Sequence, residues 1–359
     1  MGIYFLVFSI CFFCSLVSIS YDKVKSIFYL YIAIICIFFS CLRVHVGGDY
    51  YRYIDLFESI VKKVENPKDT LEIGYKYINY FVYKMGLSIH HVYFITTIII
   101  FINLYKAFDS MGINPCLAIF LYFSLLFTIS VLGMVRQGIA TSFIYYAFSE
   151  YTNKKKIKSI LLLLLGSCFH YVALIIIPFI FFIDKKFSNR FRVIVLIISI
   201  IFSTSSFFND FIIKIILKSF SASYTIVKIL TYATANRVSR FGLGTLLRVF
   251  IFIFYLFFIK KSELSQKNNI MAINLSWFFL VATFLFANIP TLSERLANVF
   301  FIGYVYIFYD LFVKYLKERK YPLFMFVLLF VLVFFRQDIS IPGKNGDPGY
   351  IPYHHVQLY

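Results

Sequence analysis

The chain has 359 residues, of which 61% are hydrophobic and 14% charged, and its mean hydropathy is +0.82. These values exclude an ordinary soluble domain, in which about a quarter of the residues are charged. The formal net charge is +18, but much of it lies in short loops between apolar runs. Membrane orientation therefore explains it better than nucleic acid, which is not an expected partner. The excess also suits an anionic lipid-linked substrate.

Apolar runs recur along the whole chain, and those of about 20 residues are long enough to cross about 30 Å of hydrocarbon. They predict helices near 2–20, 27–41, 91–105, 117–133, 138–150, 193–207, 243–259, 270–289, 296–312 and 322–335. With the run 159–183 counted as a broken hairpin, we predict an all-α polytopic membrane protein of about 11–12 transmembrane segments. The sequence shows no soluble domain and no repeat, so residues 1–359 are expected to form a single integral membrane domain.

Three polar stretches interrupt or end this pattern: the connections 43–90 and 208–241, and the tail 336–359. The first begins with RVHVGGDYYRYIDLFE, which gathers many ionisable groups directly after an apolar run. Its second half, around 73–84, has mixed helical spacing interrupted by lysines, which predicts an interfacial helix rather than a spanning one. The second connection is amphipathic and carries several basic residues.

The run 159–183 decides the topology. Basic clusters flank it, at 154–158 and at 185–192. If the run spans once, these clusters lie on opposite faces of the membrane. If it turns back at 166–170, both are cytoplasmic and nearly every other basic loop joins them, as the positive-inside rule favours. Such a turn needs irregular backbone at membrane depth, which is tolerated where it is buried in protein or lines a polar cavity. The turn is therefore itself an indication of a site.

This topology places both long connections, the tail and a set of polar side chains on the outer face. The set comprises Arg43, His45, Asp49, Glu72, Arg136, Arg237, Arg240, Glu294 and Arg295. His170 is expected deeper, below the same face. We therefore expect the function to lie on the outer surface.

The start of the first polar connection combines an arginine with a glycine pair. Arg43 offers a forked set of donors that suits phosphate oxygens, and Gly47 and Gly48 let the backbone approach a ligand closely. Asp49 and Tyr50 follow directly. The alternative is an interfacial arginine that reaches lipid head groups beside an ordinary Gly-Gly-Asp turn.

Two further positions in apolar surroundings are candidates. Arg136, followed by Gln137, lies between two apolar helices, where a charge is costly unless it is paired or at the interface. The turn there has no Pro, Asn or Asp, so we favour an arginine directed into a cavity over a simple hairpin turn. His170 lies at the predicted backbone break, where it could act as a general base or hydrogen-bond a phosphate. A lone histidine in an apolar run is also often a satisfied core residue.

Later charges are less specific. Glu294 and Arg295 precede an apolar helix, where they could serve only as a cap and a dipole partner. Arg237 and Arg240 lie three apart, on one face if helical, and suit lipid head groups as well as a substrate. Motifs for serine hydrolysis, nucleotide phosphates, zinc peptidases and sugar-nucleotide metals are missing from the sequence. Neither a metal nor a cofactor is therefore expected.

Five short motifs, taken in order, resemble the EpsG-like, Wzy-type polysaccharide polymerases. They are RVHVGGDYYRY, LEIGYKYIN, VRQGIA, GSCFHYVALI and ERLANVFFIGY, and together they extend over essentially the whole membrane chain. The sequence departs from the family pattern in three places. Gly48 stands where Thr is common, the pair after the histidine is Tyr-Val, and the aromatic residue after Arg295 must be Phe301 or Tyr304.

The resemblance implies a membrane glycosyltransferase that polymerises O-antigen, capsule or exopolysaccharide repeat units. A glycan on undecaprenyl pyrophosphate would be transferred to a second lipid-linked unit, at the outer face of the bacterial inner (cytoplasmic) membrane. A chain-length regulator would be a further partner.

The same resemblance suggests roles for the candidate residues. We expect Arg136, Arg43 and Arg295 to hold the pyrophosphate, and His170 or Asp49 to orient or deprotonate the acceptor hydroxyl. Further substrate contacts are expected from Gly47, Gly48, Tyr50, Glu72, Gln137, Arg237, Arg240 and Glu294.

Three other functions share part of this pattern. A flippase or transporter would also have many helices and buried charge, but inverted repeats are expected there and none is visible in the sequence. A membrane O-acyltransferase would use a membrane histidine. An O-antigen ligase has the same donor chemistry and differs only in its acceptor, which the sequence does not name.

Overall fold

The computed structural model describes residues 1–66, 69–204, 242–258, 262–287, 289–342 and 348–355. The amphipathic connection predicted at 208–241 lies outside the described residues. The chain divides into two compact units. Unit 1 is Met1–Phe181 with Phe308–Tyr359, and unit 2 is Phe182–Ile307.

Helices make up almost all of the described structure. In chain order they are α1 (Gly2–Ser20), α2 (Lys25–Cys41), α3 (Tyr50–Glu58), α4 (Ile60–Glu65), α5 (Ile73–Lys84), α6 (Ile89–Ser110), α7 (Pro115–Leu125), α8 (Val135–Thr152), α9 (Lys156–Ser167), α10 (Val172–Ile180), α11 (Asn189–Thr204), α12 (Leu243–Phe258), α13 (Gln266–Leu285), α14 (Pro290–Phe300), α15 (Ile302–Lys317) and α16 (Tyr321–Ile339). A 3-10 turn at Asp22–Val24 joins α1 to α2, and a π-helical turn at Thr128–Gly133 lies between α7 and α8. Strands β1 (Arg43–Val44) and β2 (His354–His355) form one antiparallel ladder.

Five helical stretches in the described ranges are long and apolar enough to cross a membrane. They are Gly2–Ser20, Ile89–Ser110, Gln266–Leu285, Leu292–Lys317 and Tyr321–Ile339. Shorter apolar helices occur at Lys25–Cys41, Pro115–Leu125 and Leu243–Phe257. The prediction of an all-α polytopic membrane protein is confirmed.

Two helices, α7 and α8, form the buried centre of unit 1. Every residue of α7 is buried, which fits a helix that is apolar all round. Nearly every residue of α8 is buried as well, although this helix carries polar side chains such as Gln137 and Glu150. Several helices of the unit pack against this pair: α6 and α9 against α8, and α1, α2 and α16 against α7. Residues at the start of α8 are therefore held by neighbours on several sides.

The predicted broken hairpin is confirmed. α9 ends, the chain turns over 168–171, and α10 begins. A Cβ placed on Gly166 would lie 3.3 Å from the Cβ of Ala173, whereas seven residues of continuous helix rise by about 10 Å. The far end of α10 returns to the end of α8, where the ring of Phe181 lies 6.1 Å from that of Tyr151. The run therefore begins and ends at the same end of α8.

The prediction of one helix over 117–133 is wrong. α7 ends at Leu125, and a buried π-helical turn occupies Thr128–Gly133. α8 can begin close beside this turn because Gly138 has no side chain; a Cβ there would collide with the Ser130 carbonyl oxygen. Short π-helical segments inside helical structure are frequent at functional sites, and this one leads directly into Arg136.

The first polar connection, 43–90, is more helical than the sequence indicated. α3 and α4 precede α5, and α5 coincides with the helix predicted around 73–84. α5 packs against α4 and α6, so the connection is folded onto unit 1. At the other end of the chain, α16 extends to Ile339, which places the start of the tail later than predicted.

Unit 2 contains a buried arginine at the start of α11. Arg192 is 4% exposed, and its Nη2 donates to Oδ1 of Asn274 on α13 (2.8 Å). The Asn274 amide donates in turn to carbonyl oxygens just before α11, those of Phe182, Ile183 and Lys185. The Trp277 indole donates to the carbonyl of Arg192 (3.0 Å). These bonds fix the start of α11 against α13.

We expect Asn274→Ala to lower the free energy of unfolding by about 3 kcal/mol, because it removes an acceptor from a buried guanidinium and a donor from buried carbonyls. Asn269→Ala is the matched control: Asn269 lies on the same helix and accepts a bond from Tyr255 (2.9 Å) at a half-buried position. Thermal unfolding of both variants in detergent measures the difference. Equal losses would contradict the role given to Asn274.

Candidate functional site

The predicted site residues Arg136 and Glu72 form an ion pair. Arg136 Nη1 lies 2.7 Å from Oε2 of Glu72, and their side chains are only 19% and 13% exposed. Glu72 directly precedes α5, where a carboxylate faces the positive end of the helix dipole. The pairing lets a cation lie in these apolar surroundings. Arg136 Nε has no hydrogen-bond partner among the described residues, which leaves a donor for a ligand.

Gly47 brings the first polar segment against the π-helical turn. Its φ is +109°, in the region that favours glycine, and a Cβ there would collide with the Leu132 carbonyl oxygen. Its neighbour Gly48 is different, because no described atom lies within 4 Å of a Cβ placed on it. Of the two predicted glycines, only Gly47 is required for this close approach.

Asp49 follows this turn and precedes α3. Its carboxylate is half-buried and makes no hydrogen bond or ion pair with any described residue. Tyr53, one turn further along α3, is buried, and its hydroxyl lies within electrostatic reach of both Asp49 and Arg136. Burial raises the pKa of Tyr53, so the phenol stays protonated at neutral pH. Tyr50 is also buried and contacts the ring of His45 (5.5 Å), so it supports the turn.

His170 lies in the turn between α9 and α10 and is 4% exposed. Its Nδ1 accepts a hydrogen bond from the backbone amide of Val172 (3.2 Å), at the start of α10. Its ring stacks on that of Tyr171, with 4.4 Å between centroids. Because Nδ1 is an acceptor, the neutral imidazole carries its proton on Nε2. Nδ1 of His170 is therefore engaged by the backbone of the turn.

Contacts join the His170 turn to the elements that carry Arg136 and Glu72. The amide of Gly74, at the start of α5, donates to the carbonyl of Cys168 (2.7 Å). Phe169 stacks on Phe143 of α8, with 5.8 Å between centroids. Phe143 is about two helical turns along α8 from Arg136. The segments around 47, 72, 136 and 170 therefore meet at one end of unit 1.

Arg43 is fully buried, at 0% exposure. Its Nη1 donates to the Val131 carbonyl of the π-helical turn (3.0 Å), and its guanidinium lies 4.1 Å from the ring centroid of Tyr93. Among the described residues, its Nε and Nη2 have no hydrogen-bond partner and no carboxylate lies within ion-pair distance. A buried guanidinium with two unused donors is uncommon and costly.

The described part of the tail, residues 348–355, lies over Arg43; we refer to it as the strap. In the β1–β2 ladder, Arg43 faces His355 and Val44 faces His354. Next to the ladder, the amide of Gly47 donates to the carbonyl of Gly349 (3.1 Å). The strap is therefore attached to the same segment that carries Gly47.

Tyrosines attach the strap to the ends of α1 and α2. The hydroxyl of Tyr4 donates to the carbonyl of Tyr350 (2.7 Å). The hydroxyl of Tyr353 donates to the carbonyl of Phe39 (2.5 Å), and the two rings stack with 4.4 Å between centroids. The Tyr350 hydroxyl packs against Gly133, where a Cβ would collide with it. The sequence alone does not indicate the strap, because its tyrosines read as part of a polar tail.

The other predicted residues lie at the start of α8, in unit 2 or outside the described residues. Gln137 is buried next to Arg136 at the start of α8. Glu294 (exposed) and Arg295 (half-buried) belong to α14 in unit 2, and Arg237 and Arg240 lie outside the described residues. Within the described ranges, no group of three or more His, Cys, Asp or Glu side chains could hold a metal ion.

Unit 2 contains a further arginine, Arg248, which lies within the apolar helix α12 and was not among the predicted site residues. Its guanidinium lies 4.9 Å from the ring centroid of Phe301 and 5.7 Å from that of Phe279. The hydroxyl of Tyr304 donates to the Arg248 carbonyl (3.0 Å). Phe301 and Tyr304 are the two aromatic residues that follow Arg295 in the last motif. A lone arginine within an apolar run was the sequence feature that could have identified Arg248 as a candidate.

We expect Gly47→Ala to abolish correct packing of the 43–50 segment, because the new Cβ meets a backbone carbonyl and the positive φ adds strain. Gly48→Ala is the control in the same turn, and we expect it to leave folding unchanged. Thermal stability and limited proteolysis of the two purified variants measure the contrast. A Gly47→Ala protein as stable as Gly48→Ala would contradict the close approach to Leu132.

Comparison with known proteins agrees with the motifs. The family model for the EpsG family matches residues 26–355, a span that includes the site residues from Arg43 to Arg295 and ends at the last residue of β2. No curated protein and no solved structure matches the chain. The family match covers well over half of the chain and confirms the resemblance drawn from the five motifs: the protein belongs to the EpsG family.

Proposed function

We propose that this protein polymerises lipid-linked oligosaccharide repeat units into O-antigen, capsule or exopolysaccharide. The observation that carries the proposal is the Arg136–Glu72 ion pair, in which Arg136 Nε has no hydrogen-bond partner among the described residues. The hydroxyl of Tyr53 lies within electrostatic reach of both Arg136 and Asp49, whose carboxylate has no described partner. Undecaprenyl pyrophosphate would carry both substrates. The growing glycan would move from its carrier to the non-reducing end of the next lipid-linked unit.

The transfer has two chemical requirements. The bond between the anomeric carbon of the donor and the pyrophosphate oxygen breaks, and that carbon forms a bond to the acceptor hydroxyl oxygen. The lipid pyrophosphate leaves with the bonding electrons, and the hydroxyl proton passes to a base. The site must therefore offer a cation to the leaving group and a proton acceptor to the sugar hydroxyl.

Arg136 is suited to stabilise the negative charge of the leaving group. The bond to Glu72 (2.7 Å) holds the guanidinium in one orientation before a substrate binds, so little reorganisation is needed as negative charge develops. Its free Nε can donate to a phosphate oxygen, the kind of acceptor that a guanidinium binds well. Glu72 also offsets the charge when no substrate is bound.

Asp49 is suited to accept the proton of the sugar hydroxyl. Its carboxylate has no described partner to lose, and it is partly open to solvent. His170 is less suited, because its Nδ1 already accepts the Val172 amide. Its Nε2 would instead donate to an oxygen of the sugar or the pyrophosphate.

The distribution of charge along α8 supports a site on the outer face. Arg136 lies at the start of this helix, whose 18 residues rise by about 27 Å. At the other end, Glu150 pairs with Lys155 and Lys158 (3.3 and 3.2 Å), within the basic cluster 154–158. The positive-inside rule assigns that end to the cytoplasm. Arg136 and its neighbours would then face the exterior of the inner membrane.

We expect Arg136→Ala to slow polymerisation by about a hundredfold, which is typical for loss of one preorganised donor to developing negative charge. Purified protein acting on lipid-linked repeat units, with glycan length resolved on gels, measures the rate. Arg52→Ala is the control, because Arg52 is an exposed arginine on α3, and it should retain the wild-type rate. Wild-type activity in Arg136→Ala would rule out this assignment.

We expect Asp49→Asn to lower kcat by about a hundredfold with little change in KM, because the amide keeps the shape of the side chain but cannot accept the proton. Asp55→Asn, at an exposed position of the same helix, should leave both constants unchanged. Steady-state kinetics on the same substrates provide the comparison. A rise in KM alone would show that Asp49 binds substrate without accepting the proton.

A further inference from the structure

The unused donors of Arg43 and the strap that covers them have a common explanation. We propose that the strap gates an oxyanion site at Arg43, and that the pyrophosphate of the lipid-linked substrate displaces the strap to reach it. The inference rests on the proposed function, because it takes the lipid pyrophosphate as the anion. It adds a movement of the strap to the proposed function.

The guanidinium of Arg43 is arranged to receive an anion along one edge. Nη1 is occupied by the Val131 carbonyl, and the face of the group lies over Tyr93. The unused nitrogens, Nε and Nη2, share an edge of the guanidinium plane. Their parallel N–H groups match two oxygens of a phosphate. The protein therefore fixes the orientation of Arg43 and leaves its bidentate edge unsatisfied.

The strap lies against Arg43 without contributing a carboxylate. The hydroxyls of Tyr350 and Tyr353 lie within electrostatic reach of the guanidinium, and Tyr350 is itself 6% exposed. The described strap, PGYIPYHH, contains no carboxylate. A phosphate would thus offer Arg43 a charge that its present cover lacks. Since Arg43 is fully buried, a phosphate can reach it only after a covering segment has moved, and the strap is the segment paired with its backbone through a short ladder.

The described strap is attached by a few hydrogen bonds and by aromatic contacts. The hydrogen bonds are a ladder of two residues on each strand, those from Gly47 and Tyr4, and that of Tyr353. The ring of Tyr353 also contacts those of Phe39 and Tyr4, and the Tyr350 hydroxyl packs against Gly133. A ladder this short has little stability of its own, and its bonds can be exchanged for bonds to water. Segments held in this way open at a lower free energy than the packed core. The strap can therefore lift while α7 and α8 stay in place.

A reversible lock tests the gate. Val44 and His354 face each other in the ladder, and facing Cα atoms of antiparallel strands lie about 4.5–5.5 Å apart, within disulfide range. In the double variant Val44→Cys/His354→Cys, oxidation should reduce both polymerisation and binding of farnesyl pyrophosphate, a short polyisoprenyl pyrophosphate, at least tenfold. Reduction should restore both. The two single-cysteine variants under the same oxidant are the controls; five of the six native cysteines are buried.

Chemical modification of arginine gives a second readout that does not depend on the cysteine pair. With phenylglyoxal, Arg43 of the wild type should react more slowly than the exposed Arg52. Tyr353→Ala, which removes the stack on Phe39, should raise the Arg43 rate severalfold and leave Arg52 unchanged. Farnesyl pyrophosphate should protect Arg43 in that variant. An Arg43 rate that responds to neither change would overturn the gate.

The outcomes separate the gate from the polymerase. If the wild type polymerises and the oxidised double variant polymerises and binds the probe equally well, the gate is wrong and the proposed function stands. If the wild type makes no polymer but oxidation still blocks binding of farnesyl pyrophosphate, the gate stands and the polymerase assignment fails.

Discussion

One close backbone approach fixes the candidate site. Gly47 lies so near the Leu132 carbonyl that no side chain fits between them, and the preceding carbonyl, that of Val131, receives Arg43. Both carbonyls belong to the π-helical turn, whose hydrogen-bond spacing departs from the α-helical pattern. α8 begins at Val135, two residues after this turn, and Arg136 is its second residue. The first polar segment of the chain and its central buried helix therefore share one rigid frame.

The charged groups on this frame differ in their partners. Arg136 is paired with Glu72 and keeps a free Nε, so it can bind an anion without being an isolated buried charge. Asp49 has no described partner, which suits a proton acceptor. Arg43 has two donors without a partner among the described residues, beside a strap that contains no carboxylate. The same end of unit 1 thus combines a preorganised cation, an available carboxylate and a second cation that must be uncovered.

Sequence patterns predicted the parts of this arrangement that depend on composition. Apolar runs predict helices because hydrocarbon admits little else, and the basic clusters on both sides of 159–183 predicted the turn that the structure contains. The motifs predicted the EpsG family, which the family match confirms. The expected roles of Arg43, Asp49, Arg136 and His170 remain predictions.

Other features depend on contacts that no local pattern encodes. The π-helical turn has the plain apolar sequence TISVLG, which reads as a helix. Gly47 and Gly48 are the same residue type, and only the atoms around each of them in the fold show that Gly47 alone requires glycine. The strap joins residues 43–44 to 354–355 through a ladder too short to leave an alternating pattern. The hydrogen bond that His170 Nδ1 accepts from the Val172 amide depends on the geometry of the turn.

Reconstitution of the purified wild-type protein with a lipid-linked repeat unit is the most direct test of the proposed polymerase. Glycan length and released undecaprenyl pyrophosphate should be measured on the same sample. We predict a ladder of polymer lengths, with one lipid pyrophosphate released for each new glycosidic bond. Repeat units that stay single, cross the bilayer and release no lipid pyrophosphate would contradict a polymerase and indicate a transporter.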